Sequence, residues 1–298
     1  MSAIRKIEDL ILTPPVHLTV VSETNPTIQT SVTVAPVGKT IVVGVRLDTV
    51  LGRVLDINIL GAGSKICSYN CVYCQMGPTT IRLNQIKKEA SLPSAADIVR
   101  EVSNHVSQAI GTDADFDTIC LSGNGEPTLH PDFPEIAAAL HHARRNAFPQ
   151  KKLAIRTNAS TLESRKILDG VNLFDDRVVK LDVGNDRLFK LFNNPLTRKT
   201  LTRLIGDIRL LKDVLIETLF VQGSADNTQP ADLEEWMEVV AMAQPKRVHL
   251  RTIASTTNIN GISGINGISG ILACSEDTLY TIASRFERRT QIRAIVSV

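Results

Sequence analysis

The chain has 298 residues, of which 43% are hydrophobic and 21% charged, and its 33 basic and 31 acidic side chains leave a formal net charge of +2. This is the composition of an ordinary globular protein, so disordered and fibrous architectures are excluded. The near-zero charge and the 4% aromatic content give no sign of a surface built for nucleic acid.

The first 50 residues are predicted to form an N-terminal extension to a core domain that covers residues 51–298. Residues 32–35 and 40–47 are rich in β-branched side chains and are predicted to be strands. A turn that contains Pro36 and Gly38 would join them as a hairpin. We expect this extension to cover the bottom or the edge of the core domain.

From residue 55 onward, predicted strands alternate with predicted helices. Short β-branched runs predict strands over residues 55–60, 116–121, 152–157, 177–182, 214–222, 247–253 and 292–298. Apolar stripes and capping residues predict helices over residues 94–110, 132–145, 160–170, 201–211 and 233–240, and after Ser275. Repeated β–α units imply parallel strands with right-handed crossovers. The fold class is therefore α/β, as a partial (β/α)6 parallel barrel or a doubly wound sheet rather than a closed eight-unit barrel.

A short repeat follows the sixth of these strands. Residues 260–265 read Asn-Gly-Ile-Ser-Gly-Ile, and residues 266–271 repeat them without change. Two copies are too few for a solenoid, so the repeat predicts a flexible loop rich in glycine and serine. Because long loops at this end of a barrel often gate an active site, one function for it is that of a substrate lid.

Three of the five cysteines, Cys67, Cys71 and Cys74, lie within eight residues, in the loop after the first strand of the series. Cysteines this close cannot build a disulfide framework for a chain of this length. Thiolate sulfur is a soft ligand that suits zinc or an iron–sulfur cluster. The other two cysteines, Cys120 and Cys274, are predicted to be small buried residues.

The number of these cysteines points to an open metal centre. A structural zinc site needs four protein ligands, but Cys120 lies in a predicted strand and the histidines are far away along the chain. A bacterial ferredoxin motif would bring a fourth cysteine within a few residues, and none follows Cys74. Three ligands leave a coordination position free, which is typical of a catalytic centre.

The sequence also predicts a cytoplasmic location. No apolar run approaches the ~18–20 residues that cross a bilayer. The start of the chain carries Arg5, Lys6, Glu8 and Asp9 where a signal peptide would have its apolar stretch. A reducing compartment agrees with the absence of a disulfide framework.

A glycine-rich turn, Ser-Gly-Asn-Gly-Glu-Pro at residues 122–127, follows the second strand. Gly123 and Gly125 would let the backbone approach a ligand closely. Pro127 holds Glu126 in an extended conformation that aims backbone carbonyls outward. A phosphate-binding loop is excluded because no Gly-Lys-Ser/Thr follows.

Together these two motifs resemble the radical S-adenosylmethionine (SAM) superfamily. The resemblance lies in Cys67, Cys71 and Cys74, with the aromatic Tyr73 before the third cysteine, followed by Gly-x-Gly-Glu-Pro at residues 123–127. The runs at residues 125–133, 156–158 and 180–185 further resemble the wyosine-type Fe–S oxidoreductase group within it. The resemblance covers roughly residues 50 to 255.

The resemblance implies a [4Fe–4S] cluster bound by Cys67, Cys71 and Cys74, whose fourth iron takes the amino and carboxylate groups of SAM. One electron, from a donor such as a flavodoxin or a ferredoxin, would cleave SAM. The resulting 5′-deoxyadenosyl radical would abstract hydrogen from a substrate.

The resemblance also implies a set of residues that hold SAM: Tyr73, Gly123, Gly125, Glu126, Asn158 and Asp182. The Gly125–Glu126 turn would contact the methionine amino group and Tyr73 the adenine, while Asn158 and Asp182 are candidates for the ribose and the carboxylate. These residues follow successive predicted strands, at the end where parallel barrels have their active sites.

Simpler roles stay open for some of these residues. Asn158 is also a typical turn residue, and Asp182 could pair with a neighbouring cation such as Lys180. Glu217 and Arg251 stand in predicted strands where a packed barrel would hold valine or isoleucine, so they are candidates to face a substrate cavity.

Two other functions also stay open. The first is tRNA guanosine modification of the wyosine type, but those enzymes carry additional N-terminal cysteines and no cysteine precedes Cys67. The Pro-Ser-Arg-Arg stretch expected ahead of the first strand is replaced by Leu-Asp-Thr-Val at residues 47–50. The second is an iron–sulfur or zinc protein with three cysteines and no SAM chemistry. The substrate is unassigned, with a small molecule favoured over tRNA.

Overall fold

The computed structural model of the chain describes residues 41–61, 65–79, 81, 86, 92–253 and 270–298. The first strand and the turn of the predicted N-terminal hairpin lie outside these residues, as does most of the repeat at residues 260–271.

Eight strands form one sheet: β1 Val42–Asp48, β2 Gly52–Asn58, β3 Thr118–Ser122, β4 Lys152–Thr157, β5 Asp176–Lys180, β6 Val214–Leu219, β8 Arg247–Arg251 and β10 Ala294–Ser297. They lie in the sheet in this order. β1 is antiparallel to β2, and every other neighbouring pair is parallel. Two short strands, β7 Val221–Gly223 and β9 Ile271–Ala273, form a separate antiparallel pair.

Six α-helices of seven or more residues connect the strands of the described chain: α1 Ala95–Ala109, α2 Phe133–Ala147, α3 Arg165–Val171, α4 Leu201–Ile208, α5 Pro230–Ala243 and α6 Glu276–Thr290. Single helical turns also occur at Pro127–Leu129 and Asp186–Leu188. α1 begins at its predicted cap, where Ser94 Oγ accepts from the N–H of Asp97 at 3.2 Å. Its buried stripe includes Ile98 and Val102. None of the helices in the described ranges has the length and apolar character needed to span a membrane.

The predicted fold class is confirmed, because the sheet is a curled, open and mostly parallel half-barrel. β1 and β10 are its two edges, since each pairs on one side only. On the outer face, Leu55 and Ile57 of β2 belong to the same apolar cluster as the helices, whereas Val54 belongs to a separate cluster inside the barrel.

The described part of the N-terminal extension is joined to this sheet. β1 overlaps the predicted strand over residues 40–47, but it begins at Val42 and ends at Asp48. In the turn to β2, Asp48 Oδ1 accepts from the N–H groups of Val50 and Leu51 at 3.0 and 3.1 Å. β1 is therefore an edge strand, while the division of the chain at residue 50 stays a prediction.

The strand predicted over residues 214–222 divides into β6 and β7. At the break, the N–H of Leu219 donates to Asp182 Oδ1 at 2.9 Å, and the N–H of Phe220 donates to the carbonyl of Arg251 at 2.7 Å. The side chain of Asn227 accepts from the N–H of Val221 at 2.9 Å. These contacts with distant residues take the chain out of the sheet.

The helix predicted over residues 160–170 begins later, at Arg165. Ser160 Oγ lies 2.6 Å from Ser68 Oγ, and its N–H donates to Asn158 Oδ1 at 3.0 Å. Ser160 is therefore part of the loop that precedes the helix rather than its first residue.

The inner face of the sheet is layered. Near the amino ends of the strands it is apolar, and its side chains form a buried cluster of Leu51, Val54, Cys120, Ala154, Val178 and Leu215. Side chains two residues apart share one face of a strand. Two residues further along, this face carries what we call the charged layer: Asp56, Ser122, Arg156, Lys180 and Glu217. The barrel interior thus has an apolar floor under polar groups.

Arg156 holds the charged layer together. Its guanidinium donates to Glu217 Oε2 and, at 2.5 Å, to Asp48 Oδ2. Burial alone raises the pKa of both carboxyl groups, but Arg156 and its neighbours outweigh burial, so the pKa of Asp48 is about 2 and that of Glu217 lies well below its usual range. Both acids are ionised, and both depend on Arg156.

Replacing Arg156 with methionine should therefore lower the free energy of unfolding by about 3–5 kcal/mol, the usual result of removing one partner of a buried pair. The measurement is denaturant unfolding. The matched control is Lys152→Met, because Lys152 Nζ lies 3.8 Å from Asp176 and its side chain is 65% exposed. That variant should lose less than about 1 kcal/mol.

Acid provides a second check on the same variant. In the unfolded chain the two carboxyl groups titrate near 3.9 and 4.3, above their folded values, so their contribution is complete above pH ~4.3 and is lost as the pH falls toward 2. The difference in stability between wild type and Arg156→Met should shrink over that range. A difference that stays constant would contradict the assignment.

Candidate functional site

The loop that carries the cysteines is paired, through its backbone, with the glycine-rich turn after β3. The N–H of Ile66 donates to the carbonyl of Asn124 at 3.0 Å, and the N–H of Glu126 donates to the carbonyl of Ile66 at 2.9 Å. The two bonds bridge Ile66 and Gly125 as in a parallel sheet. The residue before Cys67 is therefore fixed on the turn.

This bridge depends on the absence of side chains in the turn. Gly125 has φ +144°, and a Cβ there would lie 1.8 Å from the carbonyl oxygen of Ile66. Gly123 has φ +103°, and a Cβ there would lie 2.7 Å from the Cβ of Asn58. Glycine adopts such angles readily, whereas other residues do not. Among the described residues, no hydrogen bond to the carbonyl of Gly125 is found.

Glu126 connects the turn to the end of β4. Its carboxylate accepts from the Thr128 hydroxyl and N–H at 2.5 and 3.1 Å, the Thr157 hydroxyl at 2.7 Å and the N–H of Asn158 at 2.6 Å. Burial raises the pKa of Glu126, and these donors oppose the shift. Since the side chain is occupied in this way, the backbone of the turn is the part left for a ligand.

Asn158, just after β4, contacts the cysteine loop. Its Nδ2 donates to Ser68 Oγ at 2.9 Å and lies 3.6 Å from Cys67 Sγ. Its Oδ1 accepts from the N–H of Ser160 at 3.0 Å. Asn158 is thus a turn residue, as the simpler interpretation predicts, and at the same time an amide donor beside a cysteine sulfur.

A π-helix at Phe189–Asn193 supports the other side of the loop. The N–H of Val72 donates to the carbonyl of Phe192 at 2.8 Å, and the N–H of Asn70 donates to that of Asn194 at 3.1 Å. Short π-helical turns often occur at functional sites, and this one lies against the stretch between Cys67 and Cys74.

Asp182, just after β5, is 1% exposed and joins this π-helix to the cysteine motif. Its Oδ2 accepts from Asn193 Nδ2 at 2.8 Å and from the hydroxyl of Tyr73. Asn193 Nδ2 also lies 3.5 Å from Cys71 Sγ. Lys180 Nζ lies 3.4 Å from Asp182 Oδ1, which is the ion pair that the simpler interpretation predicts, and 5.0 Å from the centre of the Tyr73 ring.

The two most enclosed sulfurs therefore have amide donors beside them. Burial raises the pKa of the Cys67 thiol to about 12 and that of Cys71 to about 11. The N–H of Tyr69 lies 3.5 Å from Cys67 Sγ. The Tyr69 hydroxyl is buried and has no hydrogen-bond partner among the described residues. Amide donors and an unused hydroxyl form an environment in which thiolates can serve as ligands.

The three cysteines fit the donor set of a thiolate-bound metal centre. They are free thiols, and amide nitrogens lie beside the sulfurs of Cys67 and Cys71. Thiolate ligands with hydrogen-bond donors at sulfur are typical of iron–sulfur clusters.

All the predicted site residues lie in this one connected region: Cys67, Cys71, Tyr73, Cys74, Gly123, Gly125, Glu126, Asn158 and Asp182. Sequence reasoning missed Ser68 and Asn193. Ser68 stands inside the cysteine motif, which is a signal that could have identified it. Asn193 has no such signal, because a π-helix has no distinct sequence pattern.

The region lies at the carboxyl ends of the strands. A cavity of about 570 Å³ lined by Leu51, Gly52, Thr118 and Lys152 lies at the opposite, amino end. Glu217 faces the barrel interior, and the Arg251 guanidinium lies 3.5 Å from its carboxylate. That the two side chains face a substrate cavity stays a prediction.

A sequence model of the radical SAM superfamily matches residues 63–221, more than half of the chain. The chain belongs to this superfamily. The match runs from the cysteine loop to β7 and so includes every residue of the site described above. Four strands of the described half-barrel, β1, β2, β8 and β10, lie outside the match.

The chain is also similar to other proteins in sequence and to solved structures in fold. UPF0026 protein slr1464 of Synechocystis sp. PCC 6803 is 29% identical over 205 residues, covering 67% of this chain and 70% of that protein. GTPase Obg of Brachyspira hyodysenteriae is 26% identical over 215 residues, covering 70% of this chain and 29% of that protein. A radical SAM methyltransferase from Sphaerobacter thermophilus has the same fold, with a TM-score of 0.58 and 16% identity over 82% of this chain and 66% of that one. Streptococcus suis SuiB bound to S-adenosylmethionine also has this fold, with a TM-score of 0.54. The two chains are 14% identical, over 79% of this chain and 49% of that one.

The bridge between the two motifs can be tested with a pair of glycine-to-alanine variants. Gly125→Ala should lower the free energy of unfolding by about 1–3 kcal/mol, because the new Cβ forces the Ile66 carbonyl away. Gly206→Ala, in α4 with nothing within 4 Å of its Cβ, should be neutral or more stable by about 0.5–1 kcal/mol.

Trypsin gives a local readout for the same pair. Lys65 is 4% exposed and donates to the carbonyl of Gly77 at 3.0 Å, so cleavage after it should be slow in wild type. It should become faster in Gly125→Ala alone. Equal cleavage in both variants would show that the bridge does not hold the loop.

Proposed function

We propose that the chain is a radical SAM enzyme in which Cys67, Cys71 and Cys74 bind a [4Fe–4S] cluster next to a SAM site. The observation that carries the proposal is the bridge between Ile66 and Gly125, which seats the cysteine loop on the glycine-rich turn. When bound, the cluster and SAM would supply a 5′-deoxyadenosyl radical for hydrogen abstraction from a substrate. A flavodoxin or ferredoxin is the proposed class of electron donor.

The surrounding residues would then hold SAM. The Gly125 carbonyl, which accepts no hydrogen bond from the described residues, would accept from the methionine amino group, and Gly123 would let the turn pack closely against Asn58. Tyr73, fixed by its hydrogen bond to Asp182, would present its ring to the adenine.

Two polar side chains, Asp182 and Asn158, would make the remaining contacts with SAM. Asp182 accepts three hydrogen bonds of the roughly four that a carboxylate can take, and Lys180 lies 3.4 Å from its Oδ1. A ribose hydroxyl would therefore take the place of the Lys180 contact. The Asn158 amide is occupied by Ser68 and Cys67. It would reach the SAM carboxylate when one of these contacts opens.

Within the superfamily we propose the wyosine-type Fe–S oxidoreductase group as the subgroup. Each of the three runs that resemble it contributes to the site: Gly125 and Glu126 from the first, Asn158 from the second and Asp182 from the third. The tRNA substrate is not carried over, because residues 1–66 contain no cysteine that could bind a second cluster.

The proposal is tested with anaerobically reconstituted, dithionite-reduced protein. With SAM it should release 5′-deoxyadenosine and methionine, measured by chromatography. Cys71→Ala should lose both products and most of the bound iron. Cys274→Ala should keep them, because Cys274 is buried after β9 and its N–H donates to Thr252 rather than to the cysteine loop. Wild-type protein that holds a full cluster and releases neither product would overturn the proposal.

The amide beside Cys71 should also affect the cluster. Hydrogen bonds to cluster sulfurs influence reduction potential, and an N–H donor stabilises the more negative, reduced state. Asn193→Leu, which has a similar size but no donor, should therefore lower the potential measured by EPR-monitored redox titration without SAM. Asn146→Leu, on the exposed face of α2, is the control and should leave the potential unchanged. An unchanged potential in Asn193→Leu would contradict this role.

A further inference from the structure

The charged residues inside the barrel differ in how far they are covered. The carboxylates are buried: the side chains of Asp48, Asp182 and Glu217 are 3%, 0% and 6% exposed. The cations beside them are more open, at 22% for Lys180 and 41% for Arg251. Although the charges are mixed, the surface that they present is therefore cationic.

Lys180 and Arg251 stand on the two sides of one carboxylate. Lys180 Nζ lies 3.8 Å from Glu217 Oε1, and Arg251 Nη1 lies 3.5 Å from Glu217 Oε2. Arg156 already binds Glu217 more closely. Lys180 Nζ also lies 3.4 Å from Asp182 Oδ1. Since an ammonium carries three N–H donors and a guanidinium five, both cations keep N–H donors beyond these contacts. No other ion pair of Arg251 occurs among residues 92–253 and 270–298 or the shorter described stretches.

Lys180 and Arg251 end their strands at the same end of the sheet as the cysteine loop. Arg251 ends β8, and β3, β4, β5 and β6 lie between β8 and β2. In a curled sheet, Arg251 is therefore across the barrel opening from the cysteine loop, which follows β2. Lys180 is two residues before Asp182, about 6.6 Å deeper in the barrel. A molecule between the two cations lies over the charged layer and faces the cysteine loop.

We infer that Lys180 and Arg251 bind an oxyanion group of the substrate, a carboxylate or a phosphate. A guanidinium offers two parallel N–H donors to such a group, and an ammonium adds a compact charge. The inference rests on the proposed function, because it assigns a substrate class to the same site. Glu217 then serves as a positioning residue that holds the two cations apart.

The inference is tested by equilibrium binding of inorganic phosphate and of succinate to the full chain, at constant ionic strength set with chloride. Thermal shift and phosphorus NMR line width are the readouts. Wild type should bind one of the two saturably and more tightly than chloride. Arg251→Gln and Lys180→Met should each weaken that binding at least tenfold, and Arg251→Lys should restore part of it. Preference for phosphate or for succinate identifies the kind of oxyanion.

The control is Arg187→Gln, since Arg187 pairs with Asp232 and its side chain is 69% exposed outside the barrel. It should bind like wild type. Circular dichroism verifies that each variant is folded, and Arg251→Gln is the decisive one because Arg251 is the more exposed cation. Binding that is no tighter than that of chloride, or that is equal in wild type and Arg251→Gln, would overturn the inference.

Two further outcomes separate this inference from the proposed function. If wild type cleaves SAM but neither anion binds, the proposed function stands and the oxyanion site is wrong. If phosphate or succinate competes with SAM for the protein, Lys180 and Arg251 belong to the SAM site, and the substrate assignment is overturned while the SAM chemistry stands.

Discussion

Two backbone hydrogen bonds join the residue before Cys67 to the turn after β3, and they form only because position 125 has no side chain. Their effect extends beyond the loop that they hold. The same turn positions Glu126, whose carboxylate accepts a hydrogen bond from the N–H of Asn158 just after β4. The side chain of Asn158 in turn contacts Cys67 in the cysteine loop. The carboxyl ends of β2, β3 and β4 are thereby tied to one another through a few hydrogen bonds.

The polar interior above the apolar floor is a second constraint. Parallel barrels usually fill their interior with branched apolar side chains, and removing an ion from water costs several kcal/mol. Arg156 offsets this cost for Asp48 and Glu217, but a well-packed apolar layer would be as stable or more stable. The charges are therefore better explained by what the interior binds than by the stability of the fold.

Much of the fold could be predicted because its patterns are local. The strand over residues 152–157 was predicted with the observed bounds, and α1 begins at the predicted cap Ser94. Two predicted element boundaries were wrong because contacts with distant residues set them. β6 ends where the N–H of Leu219 donates to Asp182, and α3 begins after residue 160 because Ser160 contacts Ser68. No local pattern encodes either contact.

The residues of the site likewise differ in whether a local sequence motif predicts them. The cysteines and the glycine-rich turn are contiguous motifs whose spacing is itself the signal, so the sequence identifies them directly. Asn193 is different, since it reaches Cys71 only because a π-helix turns its amide inward. The roles of Lys180 and Arg251 likewise depend on two strands that are distant in sequence and on the relative burial of their partners.

The hydrogen-bond donors near the cysteine sulfurs differ in charge from those farther across the barrel opening. This difference affects how a substrate would be oriented. Around the sulfurs the donors are neutral amides, which stabilise thiolates without adding a full charge. Toward β8 the donors are cations, first Lys180 beside Asp182 and Tyr73 and then Arg251 at the end of β8. An oxyanion is attracted to both cations and repelled by thiolates and by Asp182, so a substrate bound as proposed would place its charged end nearer to Arg251 than to the cysteines. The group presented to the SAM site is then the uncharged end, where a carbon–hydrogen bond can be reached.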